Sequence, residues 1–198
     1  MYSISKNIEN TIIINKSKFI TKLFSVNNIN EVNQILNNIK KEYNDSTHIC
    51  FAYILENTEK CSDDGEPSGT AGLPILNVLK KNNLTNVLAI VIRYFGGIKL
   101  GAGGLVRAYT NSITEILKNI DIIELEEGYL IELEFPYDQV KLVDYMLIKN
   151  EIISKEYNDN VIYKFYLNKN ELDFIPNFEK IAIHVSIKDK VLIKKCKD

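Results

Sequence analysis

The stretch Asp63–Arg107 reads DDGEPSGTAGLPILNVLKKNNLTNVLAIVIRYFGGIKLGAGGLVR and differs in composition from the rest of the chain. It contains eight of the nine glycines and both arginines, Arg93 and Arg107, whereas the other basic side chains are lysines and two histidines. Glycine permits tight turns and close backbone approach, and a guanidinium group makes planar bidentate contacts that an ammonium group cannot make. We therefore expect the functional surface to lie in this stretch.

The overall composition is that of an ordinary soluble protein with one large or two small domains. The chain has 198 residues, of which 45% are hydrophobic and 25% are charged, and its formal net charge is −2. A chain of this length can bury a sizeable core. The charge argues against a strongly basic nucleic-acid-binding protein, but it allows a local basic patch.

Three further observations indicate a reduced, cytoplasmic protein. No apolar run approaches the roughly 20 residues that a membrane-spanning helix needs. The opening MYSISKNIEN lacks the apolar core and the cleavage site of a secretion signal. Cys50, Cys61 and Cys196 are odd in number and irregularly spaced, which excludes a CxxC-type zinc site and is typical of a reducing compartment.

Hydrophobic periodicity predicts alternating strands and helices in the first part of the chain. The predicted elements are a hairpin in 11–25, an amphipathic helix in 28–43, a buried strand in 48–55, a loop in 56–70, a helix in 71–81, a strand in 86–94, a loop in 95–103 and a helix from Gly104. The strand NVLAIVIRY is apolar over almost its whole length, which places it in the middle of a sheet.

A second unit is predicted where the glycine-rich composition ends. Its predicted elements are a strand in 129–135, a helix in 138–149, strands in 152–157 and 161–167 joined by a turn, a weaker helix in 171–180 and a strand in 181–187. This βαββαβ order is that of a ferredoxin-like split βαβ unit. The sequence therefore predicts an α+β protein with domains 1–126 and 127–198.

The segment KLGAGGLVR predicts a cradle for a phosphate group. Gly101, Gly103 and Gly104 stand where a loop becomes a helix, and the unpaired amide groups and dipole of a helix start favour an anion. Lys99 and Arg107 add positive charge before and after them. The alternative is a loop whose glycines only allow a helix to pack closely on the sheet. The spacing matches neither a Walker A motif nor G-x-G-x-x-G.

The loop SDDGEPSGT is the second candidate site, an acidic loop that also carries Ser68 and Thr70. Its carboxylates Asp63, Asp64 and Glu66 fall within four residues, which suits a Mg²⁺ site or an acid/base pair. The alternatives are helix capping, hydrogen bonding to loop amides and pairing with the two arginines. Ser68 does not stand in the G-x-S-x-G arrangement of a catalytic serine.

His48 and Cys50 alternate at the start of a predicted strand and therefore point to the same face. One hypothesis is a Cys–His nucleophilic pair; the other is a buried thiol beside a histidine that is hydrogen-bonded at the sheet edge. His48 would also serve as a ligand-binding donor if it faced the glycine-rich loop.

Arg93 and Tyr94 end the strand 86–94. An arginine at this point suits a phosphate, and a tyrosine suits stacking on a base. The alternative places Tyr94 or Phe95 in the core and pairs Arg93 with Asp63 or Asp64.

Four segments together resemble the signature of the YigZ/IMPACT family. They are SDDGEPSGTAGLPIL (62–76), VIRYFGGIKLGAGGLVRAY (91–109), THICFAY (47–53) and NKSKFI (15–20). The resemblance implies a bacterial two-domain member. Its N-terminal domain would be similar to domain IV of the translocation elongation factor and to the GHMP-kinase N-terminal domain, with helices on one face of a βαβ-rich sheet. Its C-terminal domain would be ferredoxin-like, as is the last domain of that elongation factor.

The resemblance also implies a function, because eukaryotic members act in translational control by competing for a protein that activates a stress-responsive kinase. Our first hypothesis is a translation-associated protein, non-enzymatic or weakly enzymatic, that binds RNA, the ribosome or a translation-control protein. Its binding residues would be His48, Arg93, Tyr94, Lys99, Gly101, Gly103, Gly104 and Arg107.

Two alternatives remain open. One is an enzyme acting on a phosphorylated small molecule or nucleotide, in which residues 101–104 hold the phosphate and Asp63, Asp64 or Glu66 holds Mg²⁺ or acts as a base. The other is a protein-binding adaptor that uses the second domain or the loop 56–70.

Overall fold

The computed structural model describes residues 1–195 of the chain. The chain forms two compact units, Met1–Glu124 and Leu125–Asp198. Both units combine strands with helices, which confirms the predicted α+β class. Of the three cysteines discussed above, Cys196 lies outside the described residues. Within the described residues, no helix has both the length and the apolarity that crossing a membrane requires.

The first unit contains six whole strands and three helices. They are β1 (Tyr2–Ile4), β2 (Ile8–Ile14), β3 (Ser17–Ser25), α1 (Ile29–Glu42), β4 (His48–Leu55), β5 (Thr58–Ser62), α2 (Gly72–Lys81), β6 (Val87–Tyr94) and α3 (Gly101–Leu117). Strands β2 to β6 form one antiparallel sheet in the order β2-β3-β6-β4-β5. The short β1 pairs instead with residues 122–124.

The strand β6 occupies the centre of this sheet because both of its faces are apolar. Residues 87–92 are all fully buried and alternate between two separate clusters. Helix α1 covers one face through Val32, Leu36 and Ile39. Helices α2 and α3 cover the other face through Ile75, Leu79, Tyr109 and Ile113. The expectation of helices on one face only is therefore wrong, since a strand that is apolar on both faces needs a cover on each.

Several local predictions agree with the structure. The strand 48–55 has the predicted bounds, and the predicted helices 28–43 and 71–81 correspond to α1 and α2. The hairpin between β2 and β3 turns at Asn15 and Lys16, whose φ angles are 45° and 63°. Two consecutive positive φ angles give the type of tight turn that matches the twist of paired strands.

Two local predictions are wrong. Residues 58–62 form β5 although a loop was predicted, because this edge strand has the polar sequence TEKCS and pairs only with β4. Helix α3 begins at Gly101 rather than at Gly104. Glycine has a low helix propensity, so the glycines of the first turn gave no sequence signal for a helix there. The glycine cluster is therefore the start of a helix and not the loop before it.

The second unit contains a four-stranded antiparallel sheet. Its elements are β7 (Ile122–Phe135, which begins in the first unit), a 3-10 turn at Tyr137–Gln139, α4 (Val140–Met146), β8 (Ile152–Tyr157), β9 (Val161–Asn168), a 3-10 segment Lys169–Phe174, α5 (Ile175–Glu179) and β10 (His184–Lys194). The strand order is β10-β7-β9-β8. The element order βαββαβ is the predicted one.

Both helices of the second unit are shorter than predicted, and β10 is longer. Part of each predicted helical segment is a tighter 3-10 turn, and Pro176 stands in the first turn of α5. The predicted strand 181–187 is replaced by His184–Lys194, which pairs along most of β7. A Cβ at Gly128 would lie 2.6 Å from Ile193 Cδ1, so this glycine leaves room for the side chain of Ile193 across the strand pair.

Gly96 provides a test of the packing around β6. A Cβ at this position would lie 2.0 Å from the carbonyl carbon of Lys16, and neither backbone segment can move aside alone. We expect Gly96→Ala to lower the free energy of unfolding of the first unit by about 2–4 kcal/mol, as measured by urea denaturation.

Gly103→Ala is the matched control for this substitution. Its Cβ would come no closer than 3.7 Å to Arg107 Nη1, and alanine favours a helix over glycine. Its stability should stay the same or rise by up to about 1 kcal/mol. Equal stabilities for the two variants would contradict the close approach at Gly96.

Candidate functional site

A buried ion pair joins the acidic loop to the central strand. Arg93 Nη1 donates to Glu66 Oε1 at 2.6 Å, and the two side chains are only 5% and 3% exposed. Tyr109 Oη donates to the same oxygen at 2.8 Å. Since Arg93 lies on β6, Glu66 on the loop after β5 and Tyr109 on α3, this one carboxylate fastens three elements together.

The guanidinium group of Arg93 is enclosed by further contacts. Its Cζ atom lies 5.4 Å from the ring centre of Phe19 and 5.6 Å from that of Phe95, within the range of cation–π attraction. Its Nη2 donates to Ser17 Oγ at 3.4 Å, and its Nε has no hydrogen-bond partner among the described residues. Arg93 is therefore an interior residue, and its predicted contact with a phosphate at the surface is not possible in this structure. The alternative of a pair with a loop carboxylate holds, with Glu66 in place of Asp63 or Asp64.

Asp63 supplies the anion at the start of helix α2. Its Oδ1 accepts hydrogen bonds from the amides of Ala71 and Gly72 at 2.9 Å each, and its Oδ2 accepts one from Gly69 at 2.8 Å. Burial alone would raise the pKa of this carboxyl group, but the three amide hydrogen bonds outweigh burial and lower the pKa below its ordinary value. The helix-capping alternative is thus the observed role of Asp63.

The other members of the acidic loop have separate partners. Asp64 has a φ of 43° and its Oδ2 accepts from the amide of Ile49 at 2.6 Å. Thr70 is buried and donates to the carbonyl of Pro67, whereas Ser68 is exposed. Asp63, Asp64 and Glu66 do not converge, and within residues 1–195 no three His, Cys, Asp or Glu side chains are grouped to hold a metal ion. The geometry does not favour the predicted Mg²⁺ site.

His48 and Cys50 do point to the same side of β4, but each has its own partners. His48 Nδ1 donates to the carbonyl of Asp64 at 2.8 Å, and its Nε2 lies 3.8 Å from Glu66 Oε2. Cys50 Sγ lies 3.3 Å from Tyr109 Oη. Burial raises the pKa of the Cys50 thiol to about 12. A thiol in this state is a poor nucleophile at neutral pH, so the structure favours the buried-thiol alternative over a Cys–His pair.

Tyr94 faces the side of the sheet that α1 covers, opposite the side that α2 and α3 cover. Its hydroxyl donates to Asp45 Oδ1 at 2.8 Å, and its ring packs against the α1 side of the sheet. The hydrogen bond to Asp45 raises the pKa of Tyr94. The next residue, Phe95, is 47% exposed. Phe95 is therefore the aromatic side chain that the chain presents to solvent at this end of β6, a residue that the sequence analysis considered only for the core.

The surface around the start of α3 carries cations without internal partners. Lys99 and Arg107 are exposed, and within the described part of the chain neither side chain makes a hydrogen bond or an ion pair. Gly101 and Gly103 are exposed, and Gly104 is half-buried. The N-cap residue, Leu100, offers no side-chain hydrogen bond, and the first turn contains no acidic residue.

Sequence reasoning missed two polar residues of the interior, Ser17 and Tyr109. Ser17 Oγ accepts from the amide of Gly96 at 3.2 Å and from Arg93, so it ties the β2–β3 hairpin to the end of β6. Tyr109 lies within the helix predicted from Gly104, and it is fully buried in the structure. A tyrosine hydroxyl at an otherwise apolar core position indicates a buried hydrogen-bond acceptor, and this pattern could have predicted the role of Tyr109.

In the second unit, the charged side chains of the sheet neutralise one another. Glu132 on β7 pairs with Lys164 at 3.4 Å and with Lys188 at 2.9 Å. Lys164 also approaches Glu156 at 3.9 Å. Because these residues alternate with the buried ones of the core, they lie on the opposite side of the sheet. This face is a ladder of ion pairs and does not form a basic patch.

Comparison with known proteins identifies relatives across most of the chain. The family described as the Impact N-terminal domain matches residues 15–117. The IMPACT family member YvyE of Bacillus subtilis (strain 168) is 39% identical over 175 residues, which cover 86% of this chain and 81% of that protein. The IMPACT family member YigZ of Escherichia coli (strain K12) is 31% identical over 161 residues, covering 78% and 79%.

A solved structure of the same fold was also found. It is the crystal structure of a hypothetical protein, 26% identical, with a TM-score of 0.67. The similarity covers 95% of this chain and 97% of that one.

The role of Arg93 can be tested by removing it. Arg93→Ala would leave the Glu66 carboxylate buried without a countercharge, and we expect the free energy of unfolding of the first unit to fall by about 3–5 kcal/mol. Urea denaturation at neutral pH measures the change.

Lys80→Ala is the matched control, since Lys80 pairs with Glu59 on the surface of the same unit, where the side chains are 50% and 43% exposed. Its effect should not exceed about 1 kcal/mol. If Arg93→Ala were no more damaging than Lys80→Ala, the buried pair would not hold the loop.

The lowered pKa of Asp63 predicts how stability changes in acid. A carboxyl group with a lowered folded-state pKa stabilises the fold above its unfolded pKa, about 4 for aspartate, and this contribution is lost as the pH falls through the folded value. Asp63→Asn should therefore be about 1–2 kcal/mol less stable than wild type at pH 7, and this difference in the free energy of unfolding should narrow as the pH falls below about 4. Thermal melts at a series of pH values measure the difference, and Asp121→Asn, at an exposed position, is the control. Parallel curves for wild type and Asp63→Asn would contradict the assignment.

Proposed function

Because the chain belongs to the IMPACT family, we propose that it acts in translational control, and that it binds RNA phosphate groups at the start of helix α3. The translational role is what the family resemblance implies, because eukaryotic members of the family act in translational control. The binding surface is argued from this chain alone, and the observation that carries it is the open, cation-flanked N-terminus of α3.

The two helices that share one face of the sheet have different N-terminal partners. In both α2 and α3 the N-cap residue makes no side-chain hydrogen bond, and the first turn contains no acidic residue. Helix α2 receives the carboxylate of Asp63, which bonds the amides of Ala71 and Gly72. Within the described residues, no side chain does the same for α3. The amide groups and dipole at its start therefore favour an anion from outside the chain, and a phosphate suits this geometry.

Two cations flank this helix start, and a third belongs to a turn that lies against Gly96, in the segment that leads to it. Lys99 precedes it, and Arg107 lies on the second turn of α3 with its Nη1 close to Gly103. Lys16 belongs to the hairpin turn whose backbone packs against Gly96. Its side chain is exposed, so it adds positive charge near the segment 95–100 that leads to α3. The exposed ring of Phe95 offers a surface on which a base can stack. An open surface with several cations and one aromatic ring suits a nucleic-acid backbone better than an enclosed small molecule.

The surface proposed here is smaller than the set predicted from the sequence. It retains Lys99, the glycine turn and Arg107, and it adds Lys16 and Phe95. Arg93, Tyr94 and His48 are left out because each is held by groups of the protein itself. An enzymatic function has less support, because the carboxylates of the acidic loop cap a helix, bind a strand amide and neutralise Arg93.

A salt series tests this proposal. The affinity for a short fluorescein-labelled oligouridine, and for ribosomes by sedimentation, would be measured against potassium chloride concentration for wild type and for Lys99→Gln/Arg107→Gln. Each phosphate contact with a single strand contributes about 0.7 to the slope of log K against log salt. The double variant should bind at least about tenfold more weakly, with a slope smaller by about 1.4.

Lys40→Gln/Lys41→Gln is the matched control, because it makes the same change in net charge at exposed positions of α1, on the other face of the sheet. It should leave the slope unchanged. Equal slopes for wild type and Lys99→Gln/Arg107→Gln, or equal losses in both variants, would refute binding at α3.

A further inference from the structure

A groove with a volume of about 350 Å³ lies between α2 and α3, on the side of these helices away from the sheet. Pro74 and Val78 form its buried floor, and Leu73 and Val106 form its walls. The wall residues are 47% and 38% exposed. A single exposed leucine or valine is ordinary, but two such side chains facing one concave apolar floor are typical of a binding site.

The charges around the groove are positive. Lys81 lines it, and no carboxylate does. Over the two helices the sequence places Lys80, Lys81 and Arg107 against one acidic residue, Glu115. Glu115 is bonded to Lys118, and Lys80 is bonded to Glu59. The cations left without a countercharge within the described residues are therefore Lys81 in the groove and Arg107 next to the wall residue Val106.

We propose that this groove binds a short amphipathic segment of a partner protein, with apolar side chains seated between Leu73 and Val106 and with carboxylates facing Lys81 and Arg107. Two parallel rows of side chains, at 73, 77 and 81 on α2 and at 106 and 110 on α3, form a channel of the kind that receives a helix or an extended peptide. The apolar floor has few donors for phosphate oxygens, so it does not suit RNA. This surface adjoins the helix start proposed above to bind phosphate and shares only Arg107 with it, whereas its apolar residues and Lys81 belong to the groove alone.

The test uses peptides selected on the protein itself. A random peptide library displayed on phage would be selected on the full-length wild-type chain and counter-selected on Leu73→Asn/Val106→Thr. This double variant keeps the charge and changes only exposed positions. We expect the selected peptides to combine apolar residues with aspartate or glutamate. Their affinity, measured with labelled synthetic copies, should fall at least about tenfold in the double variant.

Two further variants separate the apolar and the charged contributions. Leu142→Asn makes the same substitution at a leucine of α4 that is 44% exposed, and it should bind the peptides like wild type. Lys81→Gln should weaken binding several-fold at low salt and less at high salt, because a rim charge is screened by ions. Melting temperatures equal to that of wild type would show that the variants are folded.

Several outcomes would overturn the proposal. One is that no peptide distinguishes wild type from the double variant; another is that the selected peptides are basic. Self-association of wild type that the double variant abolishes would assign the groove to a second copy of this chain. Loss of oligouridine binding in the double variant would make the groove part of the RNA surface. Because Leu73→Asn/Val106→Thr removes no charge, it tests the apolar contacts of the groove separately from the charges that Lys99→Gln/Arg107→Gln removes.

Discussion

The ion pair between Glu66 and Arg93 is the constraint on which the first unit depends. Both side chains are almost completely buried, and removing two charges from water is unfavourable unless each is well paired. Here the carboxylate also accepts a hydrogen bond from the hydroxyl of Tyr109, and the guanidinium group lies within about 6 Å of the ring centres of Phe19 and Phe95. The acidic loop is thereby fixed against β6 and α3, and this positions Asp63 at the start of α2. One buried pair therefore orders the loop that caps the neighbouring helix.

The arrangement separates the charged residues of the glycine-rich stretch into two classes. The carboxylates of the acidic loop and Arg93 pair with one another or with backbone amides. Their charges are therefore largely neutralised within the unit. Lys81, Lys99 and Arg107 have no countercharge among the described residues and are exposed to solvent. A chain with a net charge close to zero can in this way keep a local positive surface, because the nearby carboxylates are already paired with groups of the protein.

The parts of the fold that sequence reasoning predicted were those with a strong hydrophobic period. The strand β6, the helix α1 and the β2–β3 hairpin have such a pattern, and their turn and cap residues agree with it. The polar edge strand β5 and the glycine-rich first turn of α3 were missed because backbone pairing and helix packing outweighed weak local propensity. The partner of Arg93 was not predictable from the sequence, because Asp63, Asp64 and Glu66 lie within four residues of one another. Which carboxylate points toward Arg93 depends on the loop backbone, including the positive φ angle of Asp64.

The position of β6 also determines how the first unit can assemble. The two hairpins β2–β3 and β4–β5 precede β6 in the chain, yet they are joined only through it, so each leaves one edge unpaired until β6 is in place. During synthesis on the ribosome the sheet cannot close before residue 94 has emerged from the exit tunnel. Such non-local pairing slows folding, and open edges favour association with other chains. We therefore expect the nascent chain to be most prone to aggregation in the interval between emergence of β5 and that of β6.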